Sequence, residues 1–202
     1  MDDKTETNRE ISIPMQEVYR LALIMLPLIF MLYLIPYLII WFRPFIKGIP
    51  DFFSSVFSKG GFHIIIPYII KGFIAFFTGI ILHELLHALG WLPFTKHRFR
   101  SLRFGIKKPE MAPYAHCTES LPVNGYRTGI LLPSIVLGLS PALYGIIKGS
   151  FPWLCYGIFF TWAASGDLIM FWRIKELKST TMVMDHPEKL GCFITGNREN
   201  RK

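Results

Sequence analysis

His83 and His87 stand four residues apart in the run "TGIILHELLHALGWLPF", with Glu84 directly after the first. If the run is helical, the two imidazoles project from nearly one face, about 40° and about 6 Å apart, which suits a single tetrahedral metal ion. Imidazole nitrogen favours zinc, and H-E-x-x-H is the spacing at which a glutamate serves as general base beside zinc in peptidases. Glu84 would then take a proton from the attacking water and pass it to the leaving amine. Manganese or iron would also be accepted by two histidines and a carboxylate, since that donor set is not strictly selective. The bland alternative is a buried polar cluster that holds helices together.

The elements that must position these residues are apolar. The chain of 202 residues is 51% hydrophobic and 18% charged, with a mean hydropathy of +0.38. That is too apolar for an ordinary soluble domain of this length. Leu21 to Phe42 and Thr128 to Ile147 carry no charge, Gly61 to Phe94 carries only Lys71 and Glu84, and Phe151 to Trp172 carries only Asp167. Each block is long enough to cross a hydrocarbon layer of roughly 30 Å as a helix. Trp41, Trp91, Trp153 and Trp172 fall near block ends, where the membrane interface favours indole. The sequence therefore predicts an all-α integral membrane protein with four transmembrane helices over about 21–42, 64–94, 128–147 and 151–172. The expected layout is an N-terminal segment 1–20, a membrane domain 21–172 and a tail 173–202. Residues 1–20 are polar and lack the early apolar core of a signal peptide, so the first helix is expected to stay.

Lysine and arginine set the orientation, because they remain on the cytoplasmic side of short loops. With four crossings, the N-terminus, the 95–127 loop and the tail share one side and hold most of the 22 Lys and Arg residues. The expectation is a multi-pass cell membrane protein with both termini cytoplasmic. The net charge of +8 then reflects topology and anionic lipid headgroups, not nucleic-acid binding, for which no recognition motif is present.

A catalytic zinc site needs a third protein ligand. Asp167 is the only acid in the other three apolar blocks, and an unpaired carboxylate there would be costly. His87 lies seven residues before Phe94 and Asp167 six before Arg173, so both sit roughly 10 Å below the same surface. Ala163, Ala164, Ser165 and Gly166 would let helices approach closely. Asp167 is thus the expected third ligand, with a carboxylate hydrogen-bonded inside the bundle as the alternative. His116, in "APYAHCTES", competes as a ligand from the loop but fits better as a contact to substrate or reaction intermediate. His63 and His97 read as helix-end residues and His186 as a turn residue before Pro187, with a cap on the site as its alternative.

Within the 95–127 loop, residues 99–106 and 111–118 flank the turn-like "KKPE" and are expected to form a short cytoplasmic β-hairpin. Its free edge would hold an extended peptide by strand addition. Cys117, Cys155 and Cys192 give neither a disulfide framework nor a cysteine-rich zinc site.

The segments "HELLHALGW", "APYAHCTESLPVNGYR" and "SGD", over roughly residues 63 to 190, resemble the DUF3267 family of zincin peptidases. They are more distantly similar to site-2 proteases, in which an H-E-x-x-H helix and an aspartate before glycine share one zinc. Here the glycine, Gly166, precedes the aspartate. The resemblance implies hydrolase chemistry and, with the motif, the expectation is a membrane-embedded zinc metallopeptidase whose partner is a peptide or membrane-protein substrate. The competing reading is a non-catalytic membrane protein that uses the His/Glu/Asp cluster for metal binding or bundle stability.

Overall fold

Long uncharged runs rich in Leu, Ile and Phe close their backbone hydrogen bonds within themselves, and all four apolar blocks are helical. A computed structural model describes residues 9–58, 61–108 and 112–197. In chain order these form β1 (Arg9–Ile13), α1 (Met15–Phe57), α2 (Phe62–Trp91), β2 (Leu102–Lys107), β3 (Ala112–Cys117) and β4 (Ser120–Pro122). Then come α3 (Val123–Pro133), α4 (Ser140–Lys148), α5 (Phe151–Ala163), α6 (Ser165–Ile174), β5 (Thr181–Asp185) and β6 (Leu190–Asn197). Among the described residues, three helical runs are long and apolar enough to cross a membrane, or four if α5 and α6 count as one span.

The helices depart from the expected bounds for local reasons. α1 runs to Phe57, well past residue 42, because Pro44 and Pro50 are accommodated inside it as Pro27 and Pro36 are. α3 starts at Val123, before the apolar block, since the guanidinium of Arg127 is taken up by the carbonyls of Ile174 and Leu177 at 2.5 and 3.0 Å. A π-helical stretch, Ser134–Leu139, joins α3 to α4. The fourth block is not one helix: α5 and α6 are bent by 49° about Ala164. Ser165 Oγ donates to the carbonyl of Trp162 at this break. The bend puts Asp167 in the first turn of α6, where the helix dipole favours negative charge.

The all-α expectation needs correction, because the polar ends and loop fold into strands. β1, β6, β5 and β4 form one antiparallel sheet in that order, so the expected free tail and part of the N-terminal segment pair with each other. Alternating side chains explain this: Ile13, Leu121, Val183 and Cys192 are buried from the sheet against Trp91, Ile130, Met170 and Ile174 of the helices. The expected hairpin is present as β2 and β3, paired from Leu102↔Cys117 to Lys107↔Ala112, although Glu110 in its turn lies outside the described residues. A second apolar cluster, with Tyr33, Tyr37, Ala142 and Leu154, ties α1 to α4 and α5.

Glu119 anchors the loop that leads into the hairpin. It accepts from the backbone N–H groups of Lys96 and His97 at 2.8 and 3.1 Å and from Ser101 Oγ, and it pairs with the His97 ring. Burial opposes the charge, but these donors outweigh it and hold the carboxyl down at about 2. A group depressed in the fold stabilises it above its unfolded value, near 4.5, and loses that contribution as pH falls toward 2. Glu119→Gln should therefore lower the thermal midpoint in detergent micelles at pH 7. The gap to wild type should close as the pH drops from about 5 to about 2.

Candidate metal centre

The i, i+4 spacing on α2 stacks His83 below His87, with ring centroids 4.8 Å apart and the two Nε2 atoms 3.2 Å apart. Asp167, from α6, sets Oδ2 3.2 Å from His83 Nε2 and Oδ1 3.4 Å from His87 Nε2. A tetrahedron with corners about 2.0 Å from its centre has edges of about 3.3 Å, and the separation of the two Nε2 atoms and the distance from each to its nearer Asp167 oxygen are close to that length. The Nδ1 of buried His87 lies 3.0 Å from the carbonyl of Gly129. A carbonyl only accepts, so Nδ1 carries a hydrogen toward Gly129 and Nε2 is the ring nitrogen turned toward Asp167 and His83. Lone pairs and a carboxylate that converge in this way repel unless a proton or a cation lies between them.

His83, Glu84 and His87 can each offer a ligand atom within 4.8 Å of the others. Glu84, however, is turned toward the hairpin, where its Oε2 accepts the Ala115 N–H at 2.6 Å. That leaves Asp167 as the carboxylate facing both imidazoles and Glu84 as the one beside them.

α2 and α3 meet closely behind the site. A Cβ on Gly90 would come 2.6 Å from the Gly129 Cα, and a Cβ on Gly129 would lie 2.0 Å from the Trp91 indole. Trp91 stacks between His87 and Tyr126, at 5.5 and 5.9 Å, and its Nε1 donates to the Tyr126 carbonyl at 3.2 Å. Sequence reasoning did not single out Gly129 or Trp91 as supports. The readable signal was Gly125 and Gly129, four apart on α3, a spacing that permits close helix contact.

The cluster opens into a cleft of about 900 Å³ between the start of α1, the end of α2, α6, the β2–β3 hairpin and the β5–β6 turn. His116 lines it, and its Nδ1 is 2.8 Å from Asp185 Oδ2. His186 also borders the cleft, but its Nδ1 accepts the N–H groups of Glu188 and Lys189 and its ring stacks on Phe193, which makes it a turn residue. His63 is exposed at the start of α2, and His97 belongs to the Glu119 loop. Burial pushes the Cys117 thiol up to about 11 and the Cys192 thiol up to about 12, and neither belongs to the His83, Glu84 and His87 cluster.

A family model described as "Putative zincin peptidase" (DUF3267) matches residues 76–182, just over half of the 202 residues. The chain belongs to this zincin family. No curated protein and no solved structure matches it. The family points to a hydrolase that uses zinc, and the matched residues include the histidine pair, the hairpin and Asp167. They end within β5, before Asp185.

The Gly129 carbonyl can orient His87 only while α2 and α3 stay in contact. Gly129→Ala should overpack that contact, destabilise the protein by about 1–3 kcal/mol and weaken zinc binding. Thermal unfolding and zinc titration, each in detergent micelles, measure the two effects.

Proposed function

We propose that this chain is a membrane-embedded zinc-dependent metallopeptidase whose site faces the cytoplasm. His83, His87 and Asp167 hold the metal, Glu84 is the general base, and His116 contacts the substrate. The observation that carries this reading is the convergence of His83 Nε2 and His87 Nε2, 3.2 Å apart, on the Asp167 carboxylate, whose Oδ2 and Oδ1 lie 3.2 and 3.4 Å from them, spacings close to the edges of a zinc tetrahedron. Zinc held there supplies Lewis acidity to water and to the scissile carbonyl. Glu84, kept in place by the Ala115 N–H, takes a proton from the attacking water. It returns that proton to the amide nitrogen as the C–N bond breaks. The polypeptide hydrolysed is a peptide or a membrane-protein segment, extended in the cleft.

β3 supports that mode of substrate binding. Thr118 N–H donates to Ser101 O just beyond the paired strands, so alternate residues of β3 turn their backbone toward β2 and those between turn it away. Ala115, whose N–H reaches Glu84, belongs to the second set, as does Pro113. Among the described residues their carbonyls accept no hydrogen bond, which leaves them to N–H groups of an added strand.

Lipid is the partner that suits the exposed apolar faces of α1 and α2, which include Ile39, Phe73, Ile74 and Ile81. The sheet supports the orientation: β1, β4, β5 and β6 come from the N-terminal segment, the basic loop and the tail, the segments that Lys and Arg assign to the cytoplasm.

Elemental analysis of the detergent-purified chain is the decisive test. About one zinc per chain is expected for wild type, Glu84→Gln and His116→Ala, and its loss for His83→Ala, His87→Ala and Asp167→Ala. Wild type should hydrolyse unfolded protein and Glu84→Gln should not. Wild type that takes up no zinc would leave the cluster as a polar contact between helices. Zinc without turnover would leave a metal-binding membrane protein.

A further inference from the structure

Asp185 lines the same cleft as the histidine pair, yet it has no part in the site set out above and lies beyond the residues matched by the family. Both of its oxygens are engaged. Oδ2 takes the His116 Nδ1 hydrogen at 2.8 Å and lies 3.4 Å from the Cys117 nitrogen, while Oδ1 accepts the Tyr126 hydroxyl at 2.9 Å. An ionised carboxylate only accepts, so the hydrogen between Asp185 and His116 belongs to His116 Nδ1. Nε2 is then the ring nitrogen left for the cleft, and it has no protein partner among the described residues.

Two separate ties set where that nitrogen sits. Tyr126, which holds Asp185, stacks on Trp91, and Trp91 stacks on His87, so one aromatic column links Asp185 to the histidine pair. The neighbour of His116, Ala115, is bonded through its N–H to Glu84. The imidazole is thus registered against both the candidate ligands and the candidate base.

We propose that Asp185, itself held by Tyr126, is a positioning residue for His116, whose Nε2–H donates a hydrogen bond to the scissile carbonyl oxygen as that oxygen gains negative charge. This rests on the peptidase reading above. One ring N–H rests on Asp185 and the other ring nitrogen is turned to the substrate oxygen, and no bond to His116 forms or breaks. A fixed donor of this kind stabilises charge that exists only as the reaction proceeds, so it acts on kcat more than on KM.

The zinc-loaded full chain in detergent micelles, with fluorescein-labelled β-casein as an unfolded probe, tests the assignment. His116→Ala should lower kcat about 10²–10³-fold and Asp185→Asn about 10–100-fold, with KM changed less than about threefold and zinc content unchanged. If Asp185 acts through His116, adding Asp185→Asn to His116→Ala should cost less than about twofold more. Losses that multiply would overturn the proposal, because Asp185 would then act without the imidazole. A second readout needs no turnover: in the zinc-free chain, the ¹⁵N signals of the His116 ring should shift in Asp185→Asn, and unshifted signals would overturn it as well. If wild type cleaves casein no faster than Glu84→Gln, the peptidase reading fails. The ring spectra still decide whether Asp185 positions His116.

Discussion

The close contact of α2 and α3 at Gly90 and Gly129 is the constraint on which the rest of the site depends. With no side chain between the two backbones, the Gly129 carbonyl reaches His87 Nδ1 and fixes which nitrogen faces Asp167. The same approach lets Trp91 lie flat between His87 and Tyr126. A single packing contact therefore sets the tautomer of one histidine and the place of the residue that holds Asp185.

A second constraint is electrostatic. His83, His87 and Asp167 bring two imidazoles and a carboxylate together among apolar helices, where unpaired ionisable groups cost several kcal/mol. The cost falls when such groups share a proton or a cation, and each imidazole lies within 3.4 Å of an Asp167 carboxylate oxygen. The bend between α5 and α6 contributes directly, since it ends one helix and starts another just before Asp167. That carboxylate then lies in the first turn of a helix, where the dipole favours negative charge, as well as beside the imidazoles.

The strands complete the site from the other side. The hairpin carries Ala115 to Glu84 and His116 to the cleft, while β5 brings Asp185 to His116. The candidate base, candidate metal ligands and cleft-lining groups thus come from α2, α6, β3 and β5, which the fold joins through one core that runs from the sheet into the helix ends.

The sequence by itself determined the helices and the polar residues within them. Charge-free runs can satisfy their backbone only internally, so their helical state is legible without tertiary information. The i, i+4 spacing of His83 and His87 is likewise a local property of a helix. Asp167 stood out as the one acid in its apolar block, and the hairpin was legible from alternation on either side of "KKPE". The tertiary structure decided what depends on residues far apart in the chain. β1 and β6 pair from opposite ends of the sequence, and neither segment shows its partner locally. The break at Ala164 depends on how α5 and α6 pack, because Ala163, Ala164 and Ser165 would also continue a helix. Nothing local singles out Asp185, which β5 brings 2.8 Å from His116, 69 residues away in the chain. Hydrophobic pattern encodes elements, but contacts across such separations arise only when those elements share a core.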